Sequence, residues 1–345
     1  MSKVFPGILV WLVLLALPAV AAQAAAAASP LRPVHTYSIV ARDPGTGQLG
    51  VAVQSHWFSV GTLVPWAEAG VGAVATQSFV EVRYGVAGLE LMRTGVDARR
   101  ALEALRATDP TPQVRQVAMI DAGGTVAAFT GENCIQYAGD VQGENFSVQA
   151  NLMHNPGVPA AMAEAFRKAT GSLAERMLAA LEAAQALGGD LRGKQSAALL
   201  VVRGESGGRP WEDRLVDLHV EDHRAPLQEL RRLYTLQTAY DFMNRGDHAL
   251  ERSDVDAALS YYGRAEKLLP ANQEMKFWHA VSLANAGRLN TAVSLFAGIF
   301  AQEPQWRELV PRLQAAGLLD IDAKALERIL HSATPAVTGG GLPSR

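Results

Sequence analysis

The chain has 345 residues, 49% of them apolar, and 31 basic side chains against 34 acidic ones. That length exceeds what one ordinary domain needs, and the apolar content is enough to fill a core. The near-balanced charge and the lack of a Lys/Arg-rich run exclude a typical nucleic-acid binder; Arg231–Arg232 reads as a helix-surface pair.

Residues 1–24 have the parts of a secretory signal peptide. Lys3 supplies the positive end, "GILVWLVLLALPAV" (7–20) the apolar run, and "AQA" at 22–24 the small residues of a cleavage site. The run is short for a membrane span. An uncleaved anchor is the rival, and membrane contact would then be limited to this segment. Either way the folded part is expected outside the cytoplasm, periplasmic or secreted. Residues 25–35 read as a linker, extended by Pro30 and Pro33. Cys134 is the single cysteine, so no internal disulfide is possible. Its flanks, "GENCIQY", hold no base or cation to activate a thiol, and it reads as a small buried residue.

From 36 to 234 the pattern runs strands, helices, strands. "TYSIVARD" alternates, with Tyr37, Ile39 and Ala41 on one face; "DPGTGQ" is a turn and "LGVAVQS" the return strand of a hairpin. "GVGAVATQS" (70–78) is a strand of small residues. "YGVAGLELMRTG" and "VDARRALEALRATD" are helices, the second capped by Asp97. "VRQVAMID" and "TVAAFTG" flank a second turn, and "FSVQANLM" is a further strand. "VPAAMAEAFRKATG" is a helix ending at Gly171. "SLAERMLAALEAAQALGG" opens with a capping box, Ser172 and Glu175. "SAALLVVR" and "LVDLHVED" are paired late strands, and "APLQELRRLYTLQTAY" begins the next helix. Antiparallel strand pairs separated by helix pairs predict an α+β fold, two sheets face to face with helices outside.

Residues 238–331 change character: nearly all helical, and repeating. Pro270 and Pro304 lie 34 residues apart, and the same offset relates Gly246 to Ala280, Ala258 to Ala292, Tyr262 to Phe296, and Ala265 to Ile299. That is the tetratricopeptide (TPR) period, with small residues where helices touch and a proline closing each unit. "WRELVPRLQAAGLLDIDAKALERIL" would be a third or capping unit. The tail, 332–345, has the composition of disorder.

Several motifs fail on physical grounds. "GVGAVA" (70–75) matches a dinucleotide fingerprint, but its glycines sit in a strand rather than in a turn opening a helix. "HVEDH" puts Asp217, His219, Glu221 and His223 on one strand face, which reads better as a solvated face than as a metal site. Ser55 and His56, adjacent on a strand, point to opposite faces; Ser55 or Ser196 would need a spatial argument. Thr36 is a different case. A threonine hydroxyl is a poor nucleophile unless a base adjoins it, and a free α-amine, pKa near ~8, can be that base when the threonine is the first residue. Thr36 stands where a strand begins, though threonine is also a common strand residue.

"SIVARDPGTGQLGVAV", "VGTLVPWAEAGVGAVATQS", "RYGVAGLELMRTG", "RQVAMID", "AAFTG", "SVQANLM", "GDLRGKQSAALLVVR" and "VDLHVEDH" run in order over residues 36–233. In these blocks the chain resembles the DUF1028 family, placed in the Ntn-hydrolase-like (N-terminal nucleophile) superfamily. The resemblance implies an αββα sandwich and hydrolysis of an amide C–N bond in a small amide or peptide, without cofactor or metal. It makes Thr36 the nucleophile, with Asn151 or Gln149 as oxyanion donor and Arg115 or Asp43 as a charge near the threonine amine. Gln77, Tyr84, Gln149, Gln195 and Asp222 become substrate-binding candidates. The mechanism requires cutting the His35–Thr36 bond, because signal removal leaves "AAAASPLRPVH" ahead of Thr36. The helical repeats would serve a protein partner. The alternative is a catalytically silent binding module docked through those repeats.

Overall fold

The computed structural model describes Val34 and residues 36–332. The expected leader, most of the linker and nearly all of the tail lie outside the described residues. The first part of the chain forms β1 (Thr36–Arg42), β2 (Leu49–Ser55), β3 (Pro65–Glu68), β4 (Gly72–Ser78), α1 (Arg83–Arg93) and α2 (Ala98–Ala107). Next come β5 (Arg115–Asp121), β6 (Val126–Thr130), β7 (Gly139–Gly143), β8 (Phe146–Ala150), α3 (Val158–Lys168), α4 (Leu173–Ala186), β9 (Ser196–Val202) and β10 (Arg214–Val220). Six helices follow: α5 (Pro226–Glu251), α6 (Val255–Leu268), α7 (Gln273–Asn285), α8 (Leu289–Gln302), α9 (Trp306–Ala315) and α10 (Ala323–Leu330). The protein is therefore a mixed α+β chain with a helical C-terminal region. Among the described residues no helix is long and apolar enough to cross a membrane.

The strands make two antiparallel sheets, of order β10-β9-β2-β1-β8-β7 and β3-β4-β5-β6. Alternation along each strand divides its side chains between two packing layers. In the six-stranded sheet Tyr37, Ile39, Val148 and Leu199 pack under α3 and α4 with Met162, Phe166 and Leu181. In the four-stranded sheet Val74, Val117 and Met119 pack under α1 and α2 with Leu89, Met92 and Leu102. The remaining faces meet each other: Val40, Val51, Val53 and Leu200 oppose Ala73, Ala75, Ala118 and Ile120. Mostly alanines on one side and larger aliphatic residues on the other let the sheets approach closely. Four layers result: helices, sheet, sheet, helices.

Local chemistry explains the boundaries. Asp97 caps α2 by accepting from Arg100 N at 2.9 Å. Ser172 and Glu175 cap α4 reciprocally, with Glu175 N–Ser172 Oγ at 3.2 Å and Ser172 N–Glu175 Oε2 at 2.7 Å. Gly70 takes φ +72° in the turn before β4. A Cβ on Gly72 would lie 2.7 Å from the Ile120 carbonyl oxygen. Those glycines serve a turn and close strand packing, and Ala75 lies within β4, so no helix opens there to hold a pyrophosphate.

α5 is 26 residues long and joins the two regions. Leu227 and Leu230 near its start pack into the layer under the six-stranded sheet. Ala239, Met243 and Ala249 further along pack against Ala258, Tyr262 and Ala265 of α6. Gly246 permits the closest approach, since a Cβ there would meet the Tyr262 ring at 2.4 Å. One period on, Ala280 of α7 and Phe296 of α8 are buried in a single cluster with Phe277 and Val310. All four helix-contact residues singled out by the repeat, Ala258, Tyr262, Ala292 and Phe296, are at most 1% exposed.

Candidate functional site

The space between the sheets is apolar toward one end and polar toward the other. On β1 the inward positions run Thr36, Ser38, Val40, and on β2 they run Val51, Val53, Ser55. The same face carries Ser147, Gln149 and Asn151 at β8 and Ser196 on β9, and the facing sheet contributes Gln77 on β4 and Gln116 on β5. These residues are all essentially unexposed. Burying so many polar groups is costly unless each is hydrogen-bonded, and the structure shows how that is done.

Thr36, Ser55 and Ser196 form a row across three neighbouring strands, because Thr36 pairs with Ser55 and Ser55 with Ser196. Thr36 Oγ1 donates to the Val34 carbonyl at 2.8 Å and lies 3.3 Å from Ser55 Oγ. Ser196 Oγ donates to the Trp57 carbonyl and accepts from Val60 N at 3.1 Å. Beside this row lies an amide network. Gln77 Nε2 donates to Gln116 Oε1 (2.7 Å) and to the Thr36 carbonyl (3.3 Å). Asn151 Nδ2 donates to the same Gln116 Oε1 at 2.8 Å, and Asn151 N to the Thr36 carbonyl at 3.1 Å. Ser38 Oγ donates to Gln77 Oε1 at 2.6 Å and accepts from Gln149 Nε2 at 2.5 Å. Gln116 Nε2 donates onward to Thr130 Oγ1 and the Ala150 carbonyl, both at 2.9 Å. The side chains of this network are neutral, so the one base that could act on the Thr36 hydroxyl from within the set is the nitrogen of Thr36 itself, which is an amide in the uncut chain.

Ahead of Thr36, Val34 crosses to the other sheet. Its N–H donates to the Ser78 carbonyl at 2.6 Å, and its carbonyl accepts from Ser78 N at 3.0 Å. Val34 is only 3% exposed and belongs to the apolar cluster between the sheets. Ser78 reaches this bridge with φ 69°, a left-handed conformation costly for a non-glycine residue.

Of the residues expected at the site, Thr36, Gln77, Gln149 and Asn151 are thus brought together. Gln195 is half-buried at the same end, its N–H bonded to the Ser55 carbonyl at 3.1 Å and its carbonyl to His223 N at 2.8 Å. Asp222 is exposed in the loop after β10. Arg115 and Tyr84 lie elsewhere, on the helix-covered face of the four-stranded sheet, around Asp109. Arg115 Nε bonds Asp109 Oδ2 at 2.9 Å, Tyr84 Oη bonds it at 3.0 Å, and Arg115 Nη1 donates to the Phe79 carbonyl at 2.6 Å. Burial opposes ionisation of Asp109, but bonds from Arg115, Thr111 N and Tyr84 outweigh it and hold the carboxyl below its ordinary range. Burial and the Asp109 carboxylate push the Tyr84 phenol well up. Asp43 stands at the far end of β1, seven residues or roughly 23 Å from Thr36. It caps the hairpin turn through Gly45 N and Thr46 N, and pairs with Arg176 at 3.4 Å. A cavity of about 890 Å³ opens at that far end, where Arg203 and Arg209 are already paired with Asp213 and Glu212.

Ser38 and Gln116 were missed in the sequence. Their signal is a polar side chain inside an otherwise apolar strand: Gln77, Gln116 and Gln149 all carry it. Asp190 was also missed. It is 2% exposed, accepts from His56 N at 3.1 Å and pairs with Arg192 at 2.7 Å. Burial, and then the Asp190 charge, raise the phenol of nearby Tyr37. Cys134 is half-buried rather than buried, and desolvation raises its thiol. On β10, His219 lies between Asp217 (3.0 Å) and Glu221 (3.6 Å). No group of three or more His, Cys, Asp or Glu that could hold a metal ion occurs among the described residues.

A layered α+β protein with a buried hydroxyl row and amide network at one end of two facing sheets is the class defined so far. The model of DUF1028, a family of unknown function, matches residues 36–230, more than half of the chain, and the protein belongs to that family. The chain is similar to the crystal structure of a protein from Silicibacter pomeroyi of the same family. The two share 31% identity with a TM-score of 0.54, over 59% of this chain and 89% of that one. No curated protein matches the chain.

Proposed function

We propose that the protein is an exported N-terminal-nucleophile hydrolase that cleaves a C–N bond in a small amide or peptide, with Thr36 as nucleophile. The four-layer arrangement of helices and facing sheets is what an Ntn-hydrolase-like fold requires. The observation that carries the reading is the placement of Thr36: it opens β1, its hydroxyl is buried in the polar end between the sheets, and its carbonyl accepts from the Gln77 side-chain amide and the Asn151 backbone N–H. Once the His35–Thr36 bond is cut, the freed amine takes the proton from Oγ1, and Oγ1 attacks the substrate carbonyl. The protonated amine then delivers that proton to the leaving nitrogen. Water hydrolyses the resulting threonine ester, regenerating the hydroxyl. Asn151 and Gln77 are the amide donors assigned to the oxyanion. Arg115 and Asp43 are not assigned to this chemistry, because their charges are engaged elsewhere. The test is the N-terminus of protein purified from its native host: intact mass should show that residues 1–35 are lost. An active species retaining His35 would overturn the mechanism.

The second reading, a binding module docked through TPR-like repeats, rests on a separate observation. The Gly246–Tyr262 contact recurs 34 residues on as Ala280 and Phe296. A cavity of about 370 Å³ between α5 and α7 is lined by Tyr240, Met243, Asp247, Glu274 and Trp278. A folded chain that remains uncut and captures a protein partner through this region would favour that reading.

A further inference from the structure

Val34 is, in effect, a peptide residue already bound. It makes both hydrogen bonds of an antiparallel bridge with Ser78, 2.6 and 3.0 Å, on the sheet opposite to its own continuation in β1. Its side chain is buried among the residues between the sheets, in a cluster that includes Val53, Val64 and Ala75. Its carbonyl also accepts the Thr36 hydroxyl at 2.8 Å, which ties the bound residue to the hydroxyl by a fixed register. Ser78 holds a left-handed backbone at this bridge, and such strain persists only where surrounding structure over-determines it.

Cutting the chain before Thr36 would free this position. It would leave an apolar slot and, at its edge, one backbone donor and one backbone acceptor on Ser78 without a partner. Buried backbone groups demand replacement partners, and an extended peptide can supply both.

We infer that the Val34 position is the specificity subsite of the processed protein, and that it takes an extended peptide with a valine-sized apolar residue. That residue would stand two positions before the reacting bond, as Val34 stands two positions before Thr36. The inference rests on the hydrolase reading for its chemistry, but the binding it describes is measurable without turnover. A carboxylate side chain is rejected because burying it unpaired between the sheets is expensive. A residue lacking its N–H is rejected because the Ser78 carbonyl would stay unsatisfied.

The test uses three capped peptides: acetyl-Pro-Val-His amide, the same peptide with Asp for Val, and the same with N-methylvaline. Each is titrated against the full-length chain and against the chain beginning at Thr36, released from a cleavable fusion and checked for a cooperative melt. The chain beginning at Thr36 should bind the valine peptide at least about tenfold more tightly than either analogue, as expected for one lost buried hydrogen bond or a desolvated charge. The full-length chain should bind none of the three, because Val34 fills the slot. Equal binding of all three peptides by the shortened chain, or failure to bind the valine peptide, overturns the inference. If the shortened chain does not melt cooperatively, full-length Val34→Asp and Val34→Pro are compared with the wild type by hydrogen exchange at Ser78 N; lost protection in both supports a subsite that needs an apolar residue with an N–H, and unchanged protection in either overturns it. The hydrolase reading fails separately: discrimination among the peptides that persists while the corresponding anilides are not turned over leaves the subsite standing and removes the chemistry.

Discussion

Thr36→Val removes one hydroxyl while keeping the shape and β-branching of the side chain, so its effect on stability can be worked out closely. In the uncut chain Thr36 is fully buried and Oγ1 donates to the Val34 carbonyl at 2.8 Å. The carbonyl keeps a second partner, Ser78 N at 3.0 Å, so no acceptor is orphaned. Ser55 Oγ, 3.3 Å away, loses a longer contact, so the loss is close to that of one ordinary hydrogen bond, about 1 kcal/mol, not the larger penalty of an unsatisfied buried group. For a folded unit of this size the melting temperature should fall by about 2–3 °C. In the processed protein, from which Val34 is gone, the decrease should be smaller still. Turnover, by contrast, should be abolished, and so should any self-processing at His35–Thr36, while Thr36→Ser retains both. Calorimetry of both forms, paired with an assay on short peptide amides, separates the two effects. A Thr36→Val protein that hydrolyses at the wild-type rate would refute the assignment of the nucleophile. A melting temperature lowered by about 10 °C or more would refute the accounting of the Val34 carbonyl.

Arg115→Met should destabilise the protein by about 3–5 kcal/mol in chemical denaturation, because it strands the buried Asp109 carboxylate. Since folding lowers the Asp109 pKa, its contribution is present above the ordinary carboxylate range and is lost as pH falls through the folded-state value. Wild-type stability should therefore drop on acidification below about pH 4, and the drop should be shallower in Asp109→Asn. Gln116→Leu removes the acceptor shared by Gln77 and Asn151 and the donor to Thr130 and the Ala150 carbonyl, and should cost about 1 kcal/mol for each hydrogen bond lost by the same denaturation assay. Gly246→Leu forces a side chain into the Tyr262 ring and should cost about 1–3 kcal/mol in the helical region; hydrogen exchange should rise in α5 and α6 while β1, β2 and β9 stay protected.

Strand alternation made β1, β2, β5 and β9 readable, since their inward and outward residues differ in kind, and caps marked α2 and α4. The small and aromatic residues related by the 34-residue offset, Ala258, Tyr262, Ala292 and Phe296, are likewise buried at helix contacts of α6 and α8. β3 and β7 were not readable: "PWAE" is too short to alternate, and "GDVQG" has the composition of a turn. Both are strands only because β4 and β8 offer them ladders. The candidate site divides the same way. Thr36 stands out from its place at the start of a strand, a local property. That Arg115 belongs with Asp109 and Gln116 with Gln77 depends on which face of β5 meets the other sheet, and neighbours on a strand point opposite ways whichever face that is. Asp43 shares β1's hairpin with Thr36 but stands at its other end, a distance that proximity in sequence conceals. The row Thr36–Ser55–Ser196 needs β9 to return beside β2 after more than a hundred intervening residues. Alternation is written residue by residue into the chain; strand order and the pairing of sheet faces are settled by how apolar surfaces pack across the whole fold.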